Sequence, residues 1–178
     1  MGFLRIFERA WCDPLILSCC YRMFGRPFKI SFCNGREALL EGGHQPLHSD
    51  WKFERGPIES AHACNALWAV DDLTAENGAP RLVPKSNRFS ELPQNALEDP
   101  EADHPDQIVA QVPAGSVIMI NAHTWHGGTT NRSGARRRVL HAYYTAREHP
   151  QQQDQRKWIA AETRQWLNDD QCWLLDVD

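Results

Sequence analysis

The stretch His48-Ser49-Asp50 sets an imidazole and a carboxylate one residue apart. In a strand, side chains two apart point the same way, so both groups would face one point in space. A nitrogen and an oxygen donor paired like this suit a divalent metal, which needs a third ligand from elsewhere in the chain. His126 is the best placed: it follows the apolar run "SVIMIN" and precedes Gly127-Gly128, where the backbone can turn tightly beside a ligand. Two histidines and one carboxylate on one side of a metal leave the opposite positions open, as in non-haem Fe(II) oxygenase sites. Such a site needs a co-substrate. Arg137, eleven residues after His126, offers a guanidinium that can grip a dicarboxylate through two parallel hydrogen bonds.

Other residues compete for these roles. His123 sits three residues before His126 and is its rival as the third ligand. His44 reads as a solvated turn residue. His62 and Cys64 alternate as a zinc pair would, but no Cys-x-x-Cys follows, which favours core packing. His141 either faces the pocket or is a hydrogen-bonded core histidine. Gln45, three before His48, either reaches the co-substrate or a substrate hydroxyl or lies exposed on the surface. Thr129, Thr130 and Asn131 follow the candidate metal histidine and either donate hydrogen bonds to a ligand or serve a turn.

The elements that must carry these residues read as mainly β. Asp13 can cap a helix whose body is "LILSCCYRMF", with Pro14 in its first turn and Gly25 and Pro27 at its end. Short apolar or alternating segments then recur: "FKISFC", "REALLEG", "PLHSDW", "HACNALWAV", "PRLVP", "QIVAQV", "SVIMIN" and "RRVLHAYYTA". Asn34-Gly35, Gly42-Gly43, Asn77-Gly78, Pro113-Ala114-Gly115 and Gly127-Gly128 separate them as breaks. Strands at this spacing indicate a sandwich or jelly roll. Alternation puts Arg137, Val139, His141 and Tyr143 on one strand face and Arg136, Arg138 and Leu140 on the other, without saying which is inward. The polar "SNRFSELPQNALEDPEADHPDQ" reads as a surface excursion or a flap over a site. In "DQRKWIAAETRQWL", Ile159, Thr163, Trp166 and Leu167 share one face of an expected amphipathic helix.

The chain has 178 residues, 42% hydrophobic and 24% charged, as one globular domain would. A net charge of −4 and one basic cluster, Arg136-Arg137-Arg138, give no reason to expect a nucleic-acid partner. Six cysteines without a Cys-x-x-Cys pair indicate reduced thiols. No stretch approaches the ~20 apolar residues of a membrane span, and the expected location is the cytoplasm.

Four of these segments, in order, resemble the phytanoyl-CoA dioxygenase family. "QPLHSDW" is similar to the family's iron-binding His-x-Asp, and "WAVDDLTAENGAPRLVPKSN" to its Asn-Gly-bearing segment. "NAHTWHGGTTNRSGARRRVLHAYYT" is similar to the closing segment, in which an arginine holding 2-oxoglutarate follows the second histidine by eleven residues. That spacing selects His126 over His123. "CWLLDVD" also resembles the family's ending. Lys85 and Asn87 stand where the family often has glycine and histidine, a difference expected to alter a turn.

The resemblance implies a double-stranded β-helix (jelly roll) with flanking helices at both termini, formed by residues 1–178 as a single domain. It implies His48, Asp50 and His126 as ligands of Fe(II), with Arg137 anchoring 2-oxoglutarate and Gln45 and Thr130 as further candidate contacts. The reaction implied uses O2 to hydroxylate a C–H bond of a small organic substrate, releasing succinate and CO2. A carboxylate at position 50 argues against a halogenase, which needs a small residue there. The family's usual N-terminal helices and outer strands are expected to be missing. Apolar surface left bare would favour a homo-oligomer. Two alternatives stand beside this one: a catalytically impaired jelly-roll module that still binds metal, and a zinc hydrolase or cupin-type isomerase using the same three ligands.

Overall fold

The structure is a computed structural model that describes residues 5–52 and 61–177. Two helices lead: α1 (Glu8–Cys12) and α2 (Pro14–Phe24). The ends of α2 form as their chemistry requires. Asp13 accepts a hydrogen bond from the Leu15 N–H at 3.0 Å, Pro14 occupies the first turn, and Gly25 closes the helix at φ 61°. Seven strands follow: β1 (Phe28–Glu37), β2 (Ala63–Ala69), β3 (Pro80–Leu82), β4 (Ile108–Val109), β5 (Val117–Asn121), β6 (His126–Gly128) and β7 (Arg138–Ala146). Short helices α3 (Pro93–Ala96), α4 (Gln155–Trp158), α5 (Ala161–Arg164) and α6 (Asp169–Leu175) complete the fold.

The strands make two antiparallel sheets, in the orders β1-β7-β2-β5 and β4-β3-β6. This is the expected jelly roll, a double-stranded β-helix with flanking helices. Strand alternation divides the large sheet into two faces. On the outer face, Ile30, Cys64, Ala66, Ala142 and Tyr144 join Ile16, Cys20 and Phe24 of α2 and Leu174 and Leu175 of α6 in the main core. Each large side chain buried there contributes roughly 1.5–3 kcal/mol. The Tyr144 hydroxyl donates to the Trp11 carbonyl at 2.9 Å and ties α1 to the sheet. On the inner face, Asn65, Leu67, Val139 and His141 line a cavity closed by β6. Arg137 lines the same cavity, so the 137/139/141 face points inward.

Several segments fold differently from their sequence pattern. Asn34-Gly35 does not break the chain, because β1 runs through both and pairs them with His141 and Leu140 of β7. "REALLEG" contributes only the end of β1 and a single bridge from Leu40 to Asn131. "PLHSDW" is not a strand and touches the sheets through one bridge, His48 to His126. Gly127-Gly128 is strand, not turn. A β-carbon on Gly128 would lie 2.1 Å from the Gly43 carbonyl oxygen, and one on Gly127 2.6 Å from that of Gln45. Glycine serves there for close backbone approach, not for a bend.

The expected C-terminal helix is also broken, because Ile159 and Ala160 are extended between α4 and α5. That break still lets Ile159 and Leu167 pack on the main core. Residues 86–107 do not form a free flap, because Arg81 fastens part of the loop. Only 1% exposed, Arg81 donates to the carbonyls of Gln45, Pro100, Glu101 and Ala102 and pairs with Asp103 at 3.2 Å. The Leu47 N–H adds a bond to the Pro100 carbonyl. The segment leading into His48 is therefore pinned from two sides.

Candidate metal centre

His48 and His126 are brought together by the backbone. Each donates its N–H to the other's carbonyl, at 2.8 and 2.9 Å, so they form one hydrogen-bonded antiparallel pair. Their rings lie 4.4 Å apart between centroids. Asp50 is held by the residues on either side of it. The Ser49 hydroxyl is within 3.0 Å of the carbonyls of Trp51 and Ala122, and the Trp51 N–H reaches the Ala122 carbonyl at 3.2 Å. These bonds replace a strand ladder for residues 49–51. Asp50 Oδ1 comes within 3.7 Å of His48 Nε2, and Oδ2 within 3.3 Å of His126 Nε2. One ligand atom from each of the three residues lies within 4.8 Å of the others.

The imidazoles are oriented for coordination. His48 Nδ1 lies 2.9 Å from the Pro46 carbonyl and His126 Nδ1 2.8 Å from the Thr124 carbonyl. A carbonyl only accepts, so each Nδ1 carries its proton and each Nε2 is the nitrogen left for a metal. Asp50 is fixed in turn by the Asn65 amide, which donates to Oδ2 at 2.7 Å. Asn65 is itself held by His141, whose Nε2 lies 2.6 Å from the Asn65 carbonyl oxygen. Since Asn65 uses its NH2 on Asp50, His141 must be the donor.

The charges follow from this network. Burial works against the Asp50 carboxylate, but the hydrogen bonds from His126 and Asn65 outweigh it and hold the carboxyl well below its usual range. Burial likewise opposes a charge on His126, and Asp50 overcomes it, raising that pKa. His48 is lowered by burial and by the neighbouring His126. Burial, with a smaller contribution from Arg36, pushes His141 down to about 3, so it stays a neutral donor.

Arg137 stands in the same cavity, whose volume is ≈ 200 Å³ and whose wall includes His48, His126 and Gln45. Its Nε is buried with no hydrogen-bond partner among the described residues. Burial and the nearby Arg36 both lower its pKa, the signature of a desolvated cation awaiting an anion. Two imidazole nitrogens, one carboxylate and an unsatisfied guanidinium fit a divalent ion plus a small dicarboxylate.

The other candidates are placed as follows. Gln45 lines the cavity, and its side-chain carbonyl accepts from the Gly128 N–H at 3.2 Å. Thr130 is half-buried after β6 and is not among the lining residues. His123 lies in the Trp51 and His62 ring cluster, apart from the three ligands. His44 pairs with Glu101 at 2.7 Å. His62 and Cys64 do not meet. His62 contacts Arg26 and His149, whereas Cys64 lies beside Cys20 with both thiols free. His141 both lines the cavity and is hydrogen-bonded within it. Sequence reasoning missed Asn65 and Arg36; the available signal for Asn65 was a lone amide inside the apolar run "ACNALWA".

A family model described as Phytanoyl-CoA dioxygenase (PhyH) matches residues 3–139, which include all three candidate ligands and Arg137. The chain belongs to the phytanoyl-CoA dioxygenase family. Among similar proteins, Dioxygenase af480 of Aspergillus fumigatus is 27% identical over 151 residues, covering 81% of this chain and 47% of its own. Dioxygenase andF of Emericella variicolor is 31% identical over 139 residues, covering 74% of this chain and 47% of its own. The family member described here thus spans about half the length of these relatives. Apo HygX from Streptomyces hygroscopicus aligns with a TM-score of 0.70 at 15% identity, over 84% of this chain and 71% of that one. HygX with nickel, 2-oxoglutarate and hygromycin B bound gives 0.69 at 16%, over 90% and 72%. At such identities the likeness is one of fold, and it supports the jelly roll. Among the described residues, no helix is long and apolar enough to cross a membrane.

Proposed function

We propose that this chain carries the active site of an Fe(II)- and 2-oxoglutarate-dependent dioxygenase that hydroxylates a C–H bond of a small organic substrate. The observation that carries the proposal is the convergence of His48, Asp50 and His126 beside a cavity shared with a half-buried Arg137 whose buried Nε has no hydrogen-bond partner. A ferrous ion bound there, together with 2-oxoglutarate and O2, supplies the oxidation that yields succinate, CO2 and a hydroxylated product. The protein's contribution is positional and electrostatic. His48 and His126 keep Nε2 free because the Pro46 and Thr124 carbonyls hold their Nδ1 protons. Asp50 stays ionised throughout the neutral range, and Asn65 fixes its orientation. Arg137 takes the far carboxylate of 2-oxoglutarate, with the Gln45 amide at the same wall as a second contact. A dianion compensates the neighbouring Arg137 and Arg36 charges and satisfies the orphan Nε.

The experiment is reconstitution with Fe(II) under anaerobic conditions, followed by air, ascorbate and 2-oxoglutarate, with succinate measured. Succinate should form with wild type and fall at least ~100-fold in His126→Ala. Protein that binds metal and 2-oxoglutarate but releases no succinate would replace this reading with that of a binding module on the same fold.

A further inference from the structure

A second, larger cavity has Asp50, one of the three candidate ligands, in its wall, and Arg137 is not among its lining residues. Its volume is ≈ 650 Å³, against ≈ 200 Å³ for the first. His48 and His126 line the smaller cavity and Asp50 the larger, so the ligand set forms part of the wall of each. The two walls differ in chemistry. The smaller is charged, with Arg137, Arg36 and Glu37 in its wall. The larger has flat rings: Trp51 stacks on His62 at 5.1 Å and 10°, His149 lies 4.6 Å from Trp51, and Tyr143 is stacked on Phe32 at 5.2 Å. Its volume falls in the roughly 300–1,000 Å³ range of pockets for organic ligands, well beyond the need of a five-carbon diacid.

The charges at this cavity also select. Among the described lining residues, Asp50 is the one carboxylate: its Oδ2 accepts from Asn65 and lies 3.3 Å from His126 Nε2, and its Oδ1 faces His48 Nε2 at 3.7 Å. Glu148, just outside, is paired with Arg26 at 3.1 Å. Lys52 lines the cavity, is exposed and is the charged side chain without an assigned partner there. Among the described lining residues, no carboxylate other than this candidate metal ligand faces an incoming ammonium group.

We infer that this cavity receives the primary substrate, and that the substrate is a ring-bearing, mostly apolar small molecule, neutral or anionic. The inference rests on the oxygenase reading of the metal centre. It puts the substrate along the aromatic wall that Trp51, His62, Tyr143 and His149 form, with its polar end toward Lys52 and its reacting carbon near the Asp50 side of the metal. Co-substrate and substrate then reach one centre through separate cavities and do not compete.

The test uses the full chain loaded with redox-inert Zn(II) and 2-oxoglutarate, titrated with 1-naphthoate, 1-naphthylmethanol and 1-naphthylmethylamine. The acid and the alcohol should bind and the amine should bind about threefold to tenfold more weakly, the range a partly exposed charge commands. Lys52→Glu, a change at an exposed position, should reverse the order of acid and amine. Thr145→Trp, which projects a ring into the cavity, should weaken all three probes about tenfold or more. Equal binding of the three probes, an order unchanged by Lys52→Glu, or displacement of the probes by 2-oxoglutarate would overturn the inference. If Thr145→Trp does not fold, the Lys52→Glu result alone decides. Zinc stoichiometry and 2-oxoglutarate affinity, measured on the same wild-type sample, separate the two levels. Their absence sinks the metal-centre reading, whereas their presence with indifferent probes sinks only the substrate cavity.

Discussion

Replacing Arg137 by leucine should stabilise the ligand-free protein while abolishing its response to 2-oxoglutarate. The Arg137 Nε is buried without a hydrogen-bond partner, and among the described residues the guanidinium forms no ion pair. A buried polar group left unsatisfied costs about 1–3 kcal/mol. Leucine keeps much of the apolar stem and removes the orphaned group. If 1–2 kcal/mol is recovered, the melting temperature rises by about 2–8 °C, since 1 kcal/mol is worth about 2–4 °C in a chain of this size. The ligand arm has the opposite sign. Wild type loaded with Zn(II) gains about 2.7 kcal/mol, or about 5–11 °C, from 2-oxoglutarate at one hundred times its Kd. Loss of a buried charged partner removes about 2–5 kcal/mol of binding, so the variant should show almost no shift at the same concentration. Scanning calorimetry of both proteins, with and without 2-oxoglutarate, reads both arms. A lower melting temperature for the ligand-free variant would refute the unpaired-cation argument. A retained ligand shift would move the anchor to another cation such as Arg36.

Three further outcomes follow from the same geometry. Asn65→Leu leaves Asp50 Oδ2 without its amide donor and should weaken Zn(II) binding about 10- to 100-fold in a direct titration, with the far-ultraviolet circular dichroism unchanged. Lys85 holds a left-handed φ of 68°, so Lys85→Gly should raise stability by about 1 kcal/mol, seen as a melting temperature higher by about 2–4 °C. His141 titrates at about 3 when folded and near 6.5 when unfolded, so between those values the unfolded chain binds the extra proton. Its contribution therefore weakens stability as pH falls from 6.5 toward 3, and His141→Gln should flatten the urea midpoint between pH 6.5 and 4.

The grouping of the candidate ligands was more legible in the chain than the backbone that delivers it. His48, Asp50 and His126 converge as expected, although the segment around His48 is not the strand that the i, i+2 argument assumed. Ser49 and a single backbone pair with His126 do the work of a ladder, and hydrogen bonds of that kind leave no periodic trace. Gly127-Gly128 looked like a turn because glycine signals both bends and close approach, and only the Gly43 and Gln45 carbonyls tell which. The inward face of β7 required the partner strand: Arg138 turns out to Asp71, at 2.7 Å, while Arg137 turns in. Asn65 escaped notice because its role is visible only once β2 lies beside Asp50. The break at Ile159 and Ala160 kept the apolar contacts that the helical face anticipated while changing the element that delivers them.

The most direct test of the account is an anaerobic Fe(II) titration of wild type, His126→Ala and His123→Ala, with bound metal counted after removal of free ion. Wild type and His123→Ala should each retain one ion per chain, and His126→Ala should retain almost none. Full loading of His126→Ala together with loss from His123→Ala would put the metal elsewhere and contradict the proposed centre.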